Sequence, residues 1–89
     1  MISFTVYKTI RLKGGFTGLT FDWGKSKIGS KIIDVDKNAQ KAVLDAGVVV
    51  GCRGLLINDE YISKKGLDER TLSSDDFDLT MVFPPAVRF

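Results

Sequence analysis

The fold is decided by the stretch Gly47-Val48-Val49-Val50-Gly51-Cys52-Arg53-Gly54-Leu55-Leu56-Ile57-Asn58 of this 89-residue chain. Its glycines mark turns, and Leu55-Leu56-Ile57 predicts a buried strand that stops at the Asn58-Asp59 turn. In the residues before it, the spacing of apolar side chains changes from alternating to helical. Apolar residues at helical spacing share one face, and these are Ala39, Ala42, Val43 and Ala46. We therefore expect a short helix, capped by Asn38 and stopped by Gly47, that leads through a turn into the strand.

Alternating residues on both sides of this stretch predict further strands. From Phe4 to Leu12 apolar residues fall on one parity and mainly polar residues on the other, as in a half-buried strand. Lys8 is the exception on the apolar parity, so we expect the strand to be bent or exposed there. The same pattern predicts strands over 19–23, 31–36 and 77–83, with a short one at 61–62, and residues 63–74 predict a second helix. The sum is a mainly β (α+β) domain, and we expect a partly open antiparallel barrel or sandwich of five to six strands capped by two helices.

Length and composition limit the classes of protein. A chain of 89 residues, 44% of them hydrophobic, predicts one domain over 1–89, with a core over about 4–83 and a C-terminal tail over 84–89. There is no histidine, and Cys52 is the one cysteine, so we expect no enzyme activity, no metal and no cofactor. Cys52 alone excludes an internal disulfide and fits a reducing compartment, so we expect a cytoplasmic protein. A net charge of +2 and the lack of a long apolar run predict no nucleic-acid partner and no membrane insertion.

A second motif joins the first. Thr17-Gly18-Leu19-Thr20-Phe21 is a glycine-rich loop that runs directly into a strand. With the Gly47–Asn58 stretch it resembles the PDZ domain family, which has a Gly-Leu-Gly-Phe loop before its second strand and an Ala-Gly-Val-x-x-Gly-Asp turn further on. The chain departs from the family at Thr20, where a glycine is usual, at Cys52 in place of Asp, and at Asp59 in place of Gly.

The resemblance implies an adaptor or scaffold module that binds the C-terminal tail of a partner protein as an added β-strand. By position, the backbone N–H groups of Leu19, Thr20 and Phe21 would hold the terminal carboxylate, because glycine-rich turns let successive amides face an anion. The resemblance also implies roles for Gly18 and Lys13 in the loop, for Leu19, Phe21 and Leu72 around the last ligand side chain, and for Lys65 and Asp22 in ligand specificity.

Three alternatives remain open. The tail Val87-Arg88-Phe89 has apolar residues at the positions that such a groove accepts, so it could bind a second copy of the chain. Thr20 allows a degenerate, spacer-like PDZ domain that has lost carboxylate binding. A ubiquitin-like β-grasp domain is the third alternative, because Asp68 to Ser73 and the strand after it resemble the end of that family, but it requires a helix of about three turns from near residue 25.

Overall fold

The structure, a computed structural model, describes residues 2–4, 6–24, 29–84 and 86–88. Strands dominate, and two helices join them. The elements are β1 (Ile2–Phe4), β2 (Tyr7–Leu12), β3 (Leu19–Asp22), β4 (Ser30–Val35), α1 (Lys41–Asp45), β5 (Arg53–Ile57), β6 (Glu60–Tyr61), α2 (Lys64–Leu72), β7 (Phe77–Val82) and β8 (Ala86–Arg88).

Six of the strands form one antiparallel sheet. Its order is β2-β7-β5-β4-β3, with β6 paired to β5 off this path. β2 and β3 are the end strands of that order, so the described part of the chain forms an open sheet and not a closed barrel. The mainly β prediction with two helices is confirmed. β3, which carries the second half of the glycine-rich motif, lies at an edge of this sheet.

The core lies between the inner face of this sheet and the two helices. Alternate residues of the central strand β7 are fully buried, and Val43 of α1 and Leu67 of α2 close the core from the other side. The strand contributions from β2, β3, β4, β5 and β7 are Leu12, Phe21, Ile32, Ile57, Phe77, Leu79 and Met81. The alternating pattern of the sequence therefore predicts the buried parity correctly.

The first helix begins later than expected. Asn38 lies in a turn, where its backbone N–H donates to Asp36 Oδ1 over 2.7 Å, and the residue before the helix is Gln40. The prediction of Asn38 as the helix cap was therefore wrong. The second helix follows the sequence prediction closely, and Ser63 caps it by accepting a hydrogen bond from the Gly66 N–H over 3.0 Å.

The two ends of the described chain lie beside each other. The first predicted strand is divided into β1 and β2, and β1 pairs antiparallel with β8, with Ser3 opposite Val87. Residues 86–88 of the predicted loose tail are thus in a strand, while Phe89 lies outside the described residues. The β-grasp alternative lacks its helix, because 30–35 is a strand and α1 spans only 41–45. Neither α1 nor α2, the helices that the structure describes, has the length and apolarity to cross a membrane.

Candidate functional site

The outer edge of β3 is open. β3 pairs with β4 through the register Leu19 with Val35, and none of the other described strands pairs with it. The Asp36 N–H donates to the Gly18 carbonyl over 2.8 Å, so Gly18 faces β4. Successive residues of a strand direct their N–H and C=O groups to opposite sides, so Leu19 faces the open edge. The register with β4 shifts between Thr20 and Phe21, but Ile32, opposite Phe21, bonds to Gly51 and Cys52 on its other side, so Phe21 also faces the open edge. Two of the three amides predicted to bind a carboxylate therefore lie on the accessible side, and Thr20 faces β4.

One of these two amides has a local partner. The Leu19 N–H donates to the hydroxyl Oγ1 of Thr17 over 3.3 Å. This distance is longer than that of an ordinary amide hydrogen bond, so the interaction is weak and a charged acceptor could replace it. Thr17 itself is buried, and its carbonyl accepts a hydrogen bond from the Gln40 N–H over 3.2 Å. The loop is therefore fixed to the segment that leads into α1.

The side chain of Gln40 holds the glycine-rich loop in place. Its Oε1 accepts from the Lys13 N–H over 2.8 Å, and its Nε2 donates to the carbonyls of Lys13 over 2.8 Å and Phe16 over 3.1 Å. A single primary amide thus satisfies three backbone groups at both ends of the loop. The sequence analysis missed Gln40. The only indication in the sequence was that a side chain able both to donate and to accept hydrogen bonds stands directly before a short helix.

Two glycines let the loop approach its neighbours closely. A Cβ on Gly18 would overlap Ala39, and Gly18 also has a positive φ of 85°. A Cβ on Gly14 would overlap the backbone carbonyl of Ser73, directly after α2. The loop is therefore packed between the turn before α1 and the C-terminal end of α2. This agrees with the prediction of Gly18 as a loop residue and brings the end of α2 beside the loop.

The apolar residues predicted to surround a ligand side chain are only partly together. Phe21 is in the core, next to Gly54 of β5 and with its ring centroid 5.2 Å from that of Trp23. Leu19 is half-buried on the same face of β3. Leu72 is 89% exposed at the end of α2, so it does not close a pocket over the other two.

Phe16, in the glycine-rich loop, is a second exposed apolar residue. Phe16 is 65% exposed, and it lies two residues after Gly14, which contacts Ser73 next to Leu72. The sequence analysis did not assign Phe16 to the site. Its signal was a large apolar side chain inside a glycine-rich loop, where core packing is not expected.

The predicted charged residues are all exposed. Lys65 lies in the first turn of α2. Its neighbour Lys64 forms an ion pair, with Nζ 3.4 Å from Asp68 Oδ2. Asp22 ends β3, where its Oδ1 accepts from the Gly24 N–H over 3.0 Å. Lys13 begins the loop, and its backbone is held by Gln40. Lys13 and Asp22 thus lie at the start of the loop and at the end of β3, and Lys65 lies on α2.

Neither protein-family profiles nor curated proteins give a match to this chain. Within the described residues, no group of three or more cysteine or acidic side chains is placed to hold a metal ion. The fold and the site are therefore interpreted on their geometry alone. That geometry consists of an open strand edge, a fixed glycine-rich loop and exposed apolar side chains at the end of α2.

Proposed function

We propose that this chain is a PDZ-like peptide-binding module that binds the C-terminal tail of a partner protein by adding it as a strand to β3. The observation that carries the proposal is the open edge of β3, toward which the alternation directs the amides of Leu19 and Phe21. Each of these residues offers one N–H and one C=O, so an extended peptide can form up to about four backbone hydrogen bonds there.

The loop before β3 is the proposed site of the peptide's terminal carboxylate. The Gln40 side chain fixes the loop backbone, so little conformational entropy is lost there when a ligand binds. The amides of Leu19 and Phe21 are about 7 Å apart along the strand, so the Leu19 N–H, next to the loop, would donate to the carboxylate while the Phe21 N–H pairs with the peptide backbone. Lys13 adds a positive charge at the start of the loop. Contacts of this number and size support reversible binding with a Kd of about 1 μM, or about −8 kcal/mol.

A second candidate is the spacer-like module that adds a strand without reading a free carboxylate. The bond from the Leu19 N–H to Thr17 Oγ1 favours it, since that amide already has an acceptor. Thr20, in place of a second glycine, also limits how far the loop can turn toward an anion. The two candidates share the strand edge and differ only in their response to a ligand's terminal charge.

A screen of random heptapeptides with free C-terminal carboxylates, paired with the same library in amidated form, tests both candidates. Preference for the free acids supports carboxylate binding, and equal binding of both libraries supports the spacer. Backbone amide exchange by NMR then tests the strand edge. On peptide binding, the Phe21 amide should gain protection by about tenfold or more, while the Thr20 amide should change little. Failure of both libraries to bind, or protection elsewhere alone, would contradict the proposal.

A further inference from the structure

Three cationic side chains line a cavity beside the loop. The cavity has a volume of about 390 Å³. It lies between β2, the start of the glycine-rich loop and α1, and it is separate from the open edge of β3. Its lining consists of Arg11, Lys13, Gly14, Gln40, Lys41 and Ala42. All three charged lining residues are basic, but Arg11 is paired with Asp76 and Asp78, so the uncompensated positive charge at this cavity comes from Lys13 and Lys41.

Two of the three cations have no anionic partner. Arg11 is engaged, with Nη1 3.1 Å from Asp78 Oδ1 and Nε 3.9 Å from Asp76 Oδ2. Lys13 and Lys41 form no ion pair within the described parts of the chain. Arg11 is thus held in position by Asp78 of β7 and by Asp76 before it, and the exposed side chains of Lys13 and Lys41 complete the set. Their unpaired charge is available to an added anion.

We infer that this cavity binds the phosphate group of a small phosphorylated molecule. Its volume lies within the range of small-molecule sites, roughly 300–1,000 Å³. Phosphate suits this set of one fixed guanidinium and two lysines better than a carboxylate does. A phosphate group offers three acceptor oxygens and about two negative charges, whereas a carboxylate offers two oxygens and one charge. The Gln40 side chain, whose donors and acceptor are already used by the loop, forms a neutral wall.

The phosphate site does not include the open edge of β3, although it shares Lys13 with the proposed carboxylate site. Lys41 and Ala42 belong to α1, and neither Leu19 nor Phe21 lines the cavity. Lys13 and Gly14 are shared between the loop and the cavity, so Lys41 is the better residue to test. A change at Lys41 can alter phosphate binding and leave the edge of β3 intact.

The test is an NMR titration of the ¹⁵N-labelled chain with inorganic pyrophosphate and, separately, with inositol 1,4,5-trisphosphate. We expect saturable shifts of the Gly14, Lys41 and Ala42 amides, with a Kd below about 1 mM for at least one probe. Lys41→Glu should weaken this binding by about tenfold or more, whereas Lys31→Glu, the same charge change on β4, should weaken it by less than about twofold. Unchanged amide spectra outside α1 would show that the Lys41 variant remains folded.

Three results would overturn the inference. These are the absence of saturation by about 10 mM of either probe, equal weakening by both variants, and shifts centred away from the cavity. The first shows that there is no site, the second that binding reflects only net charge, and the third that the anion binds elsewhere.

Vesicles distinguish the source of the phosphate. Phosphatidylcholine vesicles with about 5% phosphatidylinositol bisphosphate are compared with vesicles in which phosphatidylserine supplies the same total charge. Lys41-dependent binding to the first set alone supports the site and identifies a lipid headgroup. Saturation by the soluble probes without vesicle binding supports the site and identifies a soluble phosphate ester. Equal binding to both vesicle types, unaffected by Lys41→Glu, would contradict a phosphate-specific site.

Discussion

The side-chain amide of Gln40 bonds to both backbone groups of Lys13: Lys13 N–H donates to Oε1 and Nε2 donates to the Lys13 carbonyl, each over 2.8 Å. This two-point contact joins the start of the glycine-rich loop to the residue before α1. With the third bond to Phe16, it makes the loop part of the folded domain although the loop contains no regular structure.

Gln40→Ala should therefore lower both stability and peptide binding. Losing three side-chain hydrogen bonds at a partly exposed site should lower the free energy of unfolding by about 1–2 kcal/mol, measured by urea denaturation. The largest amide shifts should fall in residues 13–16. Asn38→Ala is the matched control, and it should change stability by less than about 0.5 kcal/mol because its side chain caps no helix. Equal effects of the two variants would show that the Gln40 side chain does not hold the loop in place.

Gly18→Ala should be more destabilising than Gly15→Ala. Both glycines have positive φ, 85° and 97°, so both substitutions carry the same kind of backbone strain. Only at Gly18 would the new Cβ overlap a neighbour, Ala39, whereas nothing lies within 4 Å of one at Gly15. We expect about 1 kcal/mol for Gly15→Ala and at least about 1–3 kcal/mol more for Gly18→Ala. Thermal unfolding of the pair measures the difference, and equal losses would contradict this packing.

Lys8→Ala should lower stability although Lys8 is exposed. Its Nζ donates to the Ala46 carbonyl at the end of α1 over 3.0 Å and lies 4.7 Å from the Phe83 ring centroid. The cation–π contact and the carbonyl bond together predict a loss of about 1 kcal/mol. Lys8→Arg should retain most of this stabilisation. Lys8→Met, which keeps the apolar stem but not the charge, should lose it. A Lys8→Met variant as stable as the native chain would show that only the stem matters.

Asp22→Asn should alter ligand selection if peptides bind along β3. The amide oxygen can still accept from the Gly24 N–H, so the turn after β3 should stay intact. Peptides with lysine or arginine opposite this position should lose up to about fivefold in affinity, corresponding to roughly 1 kcal/mol for an exposed pair. Peptides with neutral residues there should be unaffected. Fluorescence anisotropy at low and high salt measures both sets, and a uniform loss would indicate a structural effect instead.

Cys52 should resist thiol reagents until the chain unfolds. The side chain is fully buried beside β5, and it is the one cysteine in the sequence, so labelling has a single origin. Reaction with Ellman's reagent should be at least about a thousandfold slower than for the urea-unfolded chain. Fast labelling of the native protein would show that the sheet opens locally at β5.

Much of the fold follows from local pattern. The alternation of Phe77, Leu79 and Met81 predicts the buried face of β7, and the change of period after Asp36 predicts a helix before β5. The start of that helix was not predictable from Asn38, because an Asx turn with Asp36 competes with capping. The pairing of β1 with β8 was also missed, since short terminal segments form a strand only when a distant partner is beside them.

The site was harder to predict than the fold. The glycine pattern located the loop and the edge strand, because glycine at Gly18 is required by both φ and packing. Leu72 was placed in the site by its spacing along α2, but spacing does not determine how far the end of a helix lies from a sheet. Gln40 and Lys41 were missed since their roles depend on contacts with residues about 27 positions away.

The shortness of β3 sets a limit on what the open edge can hold. Four residues, Leu19 to Asp22, extend over roughly 14 Å at about 3.4 Å per residue. A partner segment longer than this would extend past the sheet, and its remaining peptide groups would bond to water. The charge of Asp22 disfavours edge-to-edge association of copies of the chain. A short edge strand that ends in a charged residue is poorly suited to nucleating fibrils.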